Sequence, residues 1–225
     1  CFHPSSTWLY VSNGDQIGRI SLTDLSRDSV VAETGMSGVL FDMDLTGKHL
    51  AAGRETDNAL LIWGTESEQL LNQRKGHVGG FDTFSFRGDT GFGVSAGSDG
   101  LLRFCGVLEF QEYRVLNQKF PGSDLITFNN TGAAMAFHHF GAGVVLSDGK
   151  RFQNLSPALQ TVGEIAFSPD GKLVAATSPY MHKSCVWQVP DGELVDEIKH
   201  PENVFISCVT FDLTGERLLI GGDNG

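Results

Sequence analysis

A turn that recurs six times at nearly equal spacing constrains this 225-residue chain more than any other feature. Its clearest form is IAFSPDGKLVAAT, residues 165–177, where one apolar strand enters Ser-Pro-Asp-Gly and another leaves it. Proline presets φ in such a turn, and glycine accepts the positive φ at its end. The matching positions are Ser6, Gly47, Gly91, Gly132, Gly171 and Gly215, separated by 41, 44, 41, 39 and 44 residues. Regular spacing of this kind indicates a repeat architecture.

Each period contains four short runs that are typical of β-strands. In residues 161–201 the runs are GEIAFS, LVAATS, SCVWQV and ELVDEI, with turn residues between them. No stretch shows a convincing helical period of apolar residues. Four strands repeated at this spacing are the sequence signature of a β-propeller blade. We therefore predict an all-β chain that forms a single incomplete β-propeller of four-stranded antiparallel blades over residues 1–225.

The six anchors predict four complete blades and two partial ones. The predicted boundaries are 1–34 (partial), 35–75, 76–119, 120–160, 161–201 and 202–225 (partial). The first unit lacks most of its first strand, and the last stops before its third. Propeller rings close by pairing the two termini within one blade, which these termini cannot do. We therefore expect the natural chain to extend on both sides.

The third unit resembles the WD-repeat β-propeller family. Gly76-His77 stands at the family's distance from Phe86, and VSAGSDGLLRFCG, residues 94–106, aligns on its second strand, turn and third strand. His77, Ser95 and Asp99 match residues that the family joins by hydrogen bonds. Cys105 and Gly106 stand where the family has Trp and Asp, and no Trp-Asp dipeptide occurs anywhere. The resemblance implies seven blades in the full protein; kelch or another propeller type stays open, because two units contain double glycines.

The resemblance implies a hydrogen-bonded latch in each blade, which ties an outer loop to the inner turn. Asp57 and Trp63 match the motif in the second unit, and Trp187 matches it in the fifth. The chemistry agrees, since a buried Asp needs a partner, a His offers two ring nitrogens and a Trp donates one N–H. Because a thiol is a weak donor, we expect the third latch to end at His77, Ser95 and Asp99 and to hold less tightly.

Charge and cysteine usage narrow the functional classes. Sixteen Lys and Arg against 27 Asp and Glu give a net charge of −11, which weighs against direct nucleic-acid binding by this domain. Four scattered cysteines suit the reduced thiols of an intracellular, cytoplasmic or nuclear protein, although two disulfides stay possible. No apolar run approaches the ~18 residues of a membrane span, so we expect no membrane partner.

The sequence contains no GxSxG, HExxH or EF-hand pattern and no Gly-rich loop that leads into a helix. We therefore predict no catalytic residue, no metal site and no cofactor. The leading hypothesis is a non-catalytic scaffold that binds other proteins within a multi-subunit complex. Two alternatives stay open: a metal-assisted propeller hydrolase with a central-channel site, and a subunit of an RNA- or chromatin-associated complex.

Loops at one end of the predicted blades form the candidate partner-binding face. Its residues belong to the Arg, aromatic and Met types that are enriched in interface cores, together with one histidine. They are Arg54, Phe81, Tyr180, Met181 and His182.

Overall fold

The computed structural model describes residues 1, 3–5, 7–13, 16–33, 41–54, 57–88, 90–108, 112–116, 120, 123–155, 157 and 159–223. Throughout these ranges the chain forms β-strands joined by turns and contains no α-helix. The predicted all-β class is confirmed. Among the described residues there is no helix with the length and apolar character that crossing a membrane requires.

The chain divides into two compact units, and the first comprises residues 1–119. It contains three antiparallel sheets, in each of which neighbours in the sheet are also neighbours in sequence. Sheet 1 consists of β1 (Trp8–Asn13), β2 (Gln16–Ser21) and β3 (Arg27–Glu33). Sheet 2 consists of β4 (Phe41–Met43), β5 (His49–Arg54), β6 (Ala59–Gly64) and β7 (Leu70–Lys75). Sheet 3 consists of β8 (Phe81–Phe86), β9 (Phe92–Gly97), β10 (Leu102–Gly106) and β11 (Glu112–Val115).

The second unit comprises residues 120–225 and follows the same plan. Sheet 4 consists of β12 (Ile126–Phe128), β13 (Met135–His139), β14 (Gly143–Ser147) and β15 (Phe152–Asn154). Sheet 5 consists of β16 (Glu164–Phe167), β17 (Leu173–Ser178), β18 (Lys183–Gln188) and β19 (Leu194–Lys199). Sheet 6 consists of β20 (Ile206–Phe211) and β21 (Leu218–Gly222). The described strands thus form four four-stranded sheets between a three-stranded and a two-stranded one.

The turn between the first and second strands has the same local chemistry in four sheets. The residue after the first strand uses a side-chain oxygen to accept hydrogen bonds from backbone N–H groups four or five residues later, as Asp44 does at 3.0 and 3.2 Å. The equivalent acceptors are Asn129, Ser168 and Asp212. Gly47, Gly91, Gly132, Gly171 and Gly215 all have positive φ, between 67° and 74°. Such a turn is specified locally, which is why its spacing predicted the sheets; the sixth anchor, Ser6, lies outside the described residues.

Four core clusters among the described residues each combine side chains from two sheets that are consecutive in the chain. In the first unit, Tyr10 and Ile17 of sheet 1 pack on Leu50, Leu61 and Trp63 of sheet 2. The opposite face of sheet 2 packs on Phe84, Phe86 and Cys105 of sheet 3. In the second unit, sheet 4 packs on sheet 5 and sheet 5 packs on sheet 6. The inner strands are therefore apolar on both faces, as in β6, which is buried along its whole length.

One register position recurs in sheets 2, 3 and 5. At this position the third strand carries Trp63 in sheet 2, Cys105 in sheet 3 and Trp187 in sheet 5. Each of them pairs with a second-strand residue, and that residue pairs in turn with the last residue of the first strand. In all three sheets the pairing with the fourth strand shifts register just before this residue. The shared position and shared bulge show that the three sheets have the same internal geometry.

Two polar side chains connect sheet 2 to sheet 3 at opposite edges. On β4, Asp42 accepts hydrogen bonds from the backbone N–H of Phe86 at 2.8 Å and from the hydroxyl of Ser85 at 3.2 Å. On β7, the buried Asn72 donates to the carbonyl oxygen of Val107 at 2.9 Å. Burial raises the pKa of Asp42, against the opposing effect of the hydrogen bonds from Phe86 and Met43. The two contacts hold both edges of this sheet-to-sheet interface.

We expect Asp42→Ala to lower the free energy of unfolding by about 1–3 kcal/mol, because it leaves a buried N–H of Phe86 without its acceptor. The matched variant Asp42→Asn keeps one side-chain oxygen and is expected to lose less. Denaturant unfolding of both variants measures the difference. Equal stability of the two variants would contradict the role assigned to the carboxylate.

Candidate functional site

The candidate site lies in the first unit, on the face of sheet 3 that packs against sheet 2. The comparable face of sheet 2 is the one that packs on the preceding sheet 1. Two neighbouring cross-strand pairs on that face, Leu50 with Trp63 and Ala52 with Leu61, are apolar. The equivalent positions are also apolar in sheet 5, where they hold Val174, Ala176, Cys185 and Trp187. In sheet 3 the same positions hold Gly93, Ser95, Arg103 and Cys105. In sheet 3, small and polar residues thus occupy positions that are apolar and packed in sheets 2 and 5.

The structure brings His77, Ser95 and Asp99 together. His77, in the loop between β7 and β8, contacts the Ser95 hydroxyl through Nε2 at 2.8 Å and Asp99 Oδ1 through Nδ1 at 2.9 Å. Asp99 lies in the turn between β9 and β10, where it also accepts hydrogen bonds from the backbone N–H groups of Val78 and Leu101, both at 3.1 Å. The three side chains connect the loop that enters sheet 3 to the turn at the same end.

Two local features place the imidazole of His77. Gly97 lies directly beneath it, and a Cβ at Gly97 would collide with the ring and with the carbonyl oxygen of Gly80. The ring of Phe81 meets that of His77 edge-on, with centroids 6.1 Å apart. His77 is therefore buried between the backbone of β9 at Gly97, which has no side chain, and the ring of Phe81.

Asp99 is the ionised member of the group. Burial opposes its ionisation, but the hydrogen bonds from His77, Val78 and Leu101 outweigh burial and lower the pKa of the Asp99 carboxyl. The Arg103 guanidinium lies 3.5 Å from its second oxygen. His77 Nδ1–H donates a hydrogen bond to the ionised Asp99, and in that tautomer of the neutral imidazole Nε2 accepts the hydrogen bond that the Ser95 hydroxyl donates.

The order of these contacts is also that of a Ser-His-Asp catalytic triad. Acyl transfer additionally requires an accessible hydroxyl and N–H donors aimed at the developing oxyanion. Ser95 is 5% exposed and lies inside β9, in register with Phe84 on one side and Arg103 on the other. The contacts join the loop to the turn, and Ser95 also borders the pocket described next.

A pocket of about 370 Å³ adjoins this group between sheets 2 and 3. Its lining includes Arg74 and Lys75 from β7, Arg103 and Cys105 from β10, and the His77 and Ser95 pair. Cys105 is buried and packs against Phe84 and Phe86. The pocket thus lies next to the position that holds a tryptophan in sheets 2 and 5.

The other residues of the predicted latches have different surroundings. Asp57 accepts two hydrogen bonds from Arg54, at 2.8 and 2.9 Å, and lies 2.9 Å from the Lys75 ammonium. These two cations, Arg54 first, lower the pKa of Asp57. Trp63 packs in the core between sheets 1 and 2, and Trp187 is fully buried between sheets 4 and 5. The structure therefore groups Asp57 with two cations and groups both tryptophans with apolar residues.

Two residues of the predicted partner face lie in the first unit and have intramolecular partners. Arg54 holds the bidentate contact with Asp57. Phe81 is half-buried, and its ring lies over Gly53, where a Cβ would collide with it. Both side chains contribute to the packing and charge pairing of sheets 2 and 3.

The other three residues of the predicted face lie in the second unit, in the turn between β17 and β18. Tyr180 is 71% exposed and meets the ring of Phe205 edge-on at 5.4 Å. The half-buried Met181 accepts a hydrogen bond from the N–H of Gln160 at 3.4 Å. His182 contacts the carbonyl oxygen of Val204 through Nδ1 at 3.2 Å. Tyr180 is the most exposed of the three.

Sequence reasoning missed two aromatic residues at this end of the sheets. Phe205, 40% exposed, precedes β20, and Phe140, 71% exposed, lies in the turn of sheet 4 that corresponds to the turn of Tyr180. The alignment of the repeats could have found Phe140, because the turn position follows from the strand register. In the part of the chain that the structure describes, no group of three or more His, Cys, Asp or Glu is placed to hold a metal ion.

We expect Asp99→Asn to lower the free energy of unfolding at pH 7 by about 1–2 kcal/mol, because an amide cannot accept all the hydrogen bonds that the carboxylate accepts. The pKa of Asp99 is lowered in the fold, so its ionised form contributes stability above its ordinary pKa near 3.9. That contribution disappears as the pH falls through the lowered value. Urea unfolding at pH 7 and below pH 4 should therefore show a gap that narrows with acid.

The control for Asp99→Asn is Asp196→Asn, which changes an exposed residue of β19. It is expected to leave stability nearly unchanged at both pH values. A gap between wild type and Asp99→Asn that stayed constant with pH would contradict an ionised Asp99.

Comparison of the sequence with protein-family models gives no match. Comparison with curated proteins gives none either.

Proposed function

We propose that the chain forms a WD-repeat-like β-propeller that serves as a non-catalytic scaffold for protein partners. The observation that carries the fold is the shared geometry of sheets 2, 3 and 5, with one bulge at one register position. Sheets with the same internal geometry, each packed on its predecessor within a unit, are the components of a propeller ring. The His77, Ser95 and Asp99 group is consistent with the WD-repeat latch.

The proposed incomplete propeller requires the two units to form one compact particle in solution. A 225-residue chain of that kind has a radius of gyration of about 17 Å. Small-angle X-ray scattering of the purified chain is expected to give a value close to this. A clearly larger radius with two separate maxima in the distance distribution would contradict a single incomplete propeller.

The scaffold function is supported by an exposed surface in the second unit, the aromatic end surface, which we define as Phe140, Tyr180, Met181, His182 and Phe205. Connections between second and third strands and connections between sheets lie at the same end of an antiparallel sheet. The contact between Tyr180 and Phe205 joins one connection of each kind. Exposed aromatic residues on rigid turns are the usual anchors of protein interfaces. We propose that this surface contacts a protein partner in a multi-subunit assembly.

Tyr180→Ala is expected to weaken partner binding by about 30-fold if Tyr180 is an anchor of the interface. Quantitative mass spectrometry of proteins captured by wild type and variant identifies the partner, and titration with that partner measures the loss. The expected result is one defined set of proteins that wild type retains and Tyr180→Ala releases.

The matched control is Leu213→Ala in the turn between β20 and β21. Leu213 is 96% exposed but lies at the opposite end of its sheet. This variant is expected to bind as wild type does. Partners that survive Tyr180→Ala, or that are lost equally with Leu213→Ala, would reject the aromatic end surface as the binding site.

A further inference from the structure

We propose that the pocket between sheets 2 and 3 binds a phosphate group. Its walls come from the first unit alone, so the proposal does not depend on how the sheets of the two units are arranged. It assigns a ligand site in addition to the protein-binding surface of the second unit.

The space for a ligand arises from side-chain replacement at equivalent positions. Sheets 2 and 5 fill this part of their interfaces with Trp63 and Trp187. Sheet 3 has Cys105 at that position and Gly93 opposite it, and the ring of Phe84 lies over Gly93. The remaining volume of about 370 Å³ is at the lower end of the range of small-molecule sites, roughly 300–1,000 Å³.

The charge of the walls determines the class of ligand. On β7, Arg74 pairs with Leu60, which packs towards sheet 3, so Arg74 lines the pocket from sheet 2, and Arg103 lines it from sheet 3. The Lys75 ammonium lies 2.9 Å from Asp57 on the other face of sheet 2, since Lys75 pairs with Ala59, which packs towards sheet 1. Asp99 lies 3.5 Å from Arg103 but is not part of the lining. Two guanidinium groups, one from each sheet, thus border the pocket.

The neutral groups of the lining also favour a polar oxyanion. Asn58 belongs to the lining, and its amide can donate N–H hydrogen bonds. A guanidinium offers paired N–H donors that match phosphate, and several cations favour a doubly charged group over a single carboxylate. The chain as a whole has a net charge of −11 and repels anions at long range. Attraction of phosphate must therefore come from this local group of cations.

Isothermal titration calorimetry at constant ionic strength tests the proposal with inorganic phosphate, ribose 5-phosphate and acetate. The expected result is saturable binding of one phosphate per chain and binding of acetate that is at least about tenfold weaker. A higher affinity for ribose 5-phosphate than for inorganic phosphate identifies a small phosphorylated molecule as the source, and equal affinities identify free phosphate. Absence of saturation with both phosphates, or equal binding of acetate, would overturn the proposal.

Three variants locate the binding. Cys105→Trp restores the residue of sheets 2 and 5 and fills the pocket, and Arg74→Gln removes one cation from its wall. Each is expected to lower phosphate affinity by at least about tenfold. Lys48→Gln removes an exposed cation of the same unit, outside the pocket lining, and is expected to bind as wild type does. If Cys105→Trp does not fold, Arg74→Gln decides the question, and wild-type affinity of Arg74→Gln would reject this site.

Discussion

The structure depends on the burial of one sheet face against the preceding sheet. The described chain contains no helix that could cover a sheet, so the apolar residues of each unit can leave water only where two sheets meet. This constraint explains why inner strands such as β6 and β17 are apolar on both faces. It also explains why the register matters, since a slip of one residue would exchange the two faces. The recurring turn and the recurring bulge both serve to keep that register.

The strands and their grouping were predictable from the sequence because turn chemistry is local. Gly171 takes a positive φ and Ser168 accepts a hydrogen bond from Leu173 without help from other sheets. The surroundings of individual side chains were less predictable, because they depend on residues far away in sequence. Arg54 was a candidate for partner binding, but its guanidinium contacts Asp57. Phe140 was not a candidate, and its exposure follows from its place in the turn between β13 and β14.

The polar residues of sheet 3 form a set that has to occur together. Ser95 and Arg103 occupy positions where sheet 2 has Ala52 and Leu61. A buried hydroxyl or guanidinium is costly unless it is paired. His77 is hydrogen-bonded to Ser95 and to Asp99. Asp99 also lies within ion-pairing distance of Arg103. Exchange of Ser95 for the alanine of sheet 2 would leave His77 Nε2 without its partner, so Ser95 and His77 are expected to change together.

The space beside Cys105 persists because the two sheets cannot close upon it. A void left by a small side chain destabilises less when its surroundings can collapse. Here Asp42 bonds to the backbone of β8 at one edge of the interface, and Asn72 bonds to the carbonyl oxygen of Val107 at the other. Backbone contacts at both edges fix the separation of sheets 2 and 3, whatever side chains lie between them. The small side chain of Cys105 therefore leaves a polar pocket here, where an interface free to relax would have packed closed.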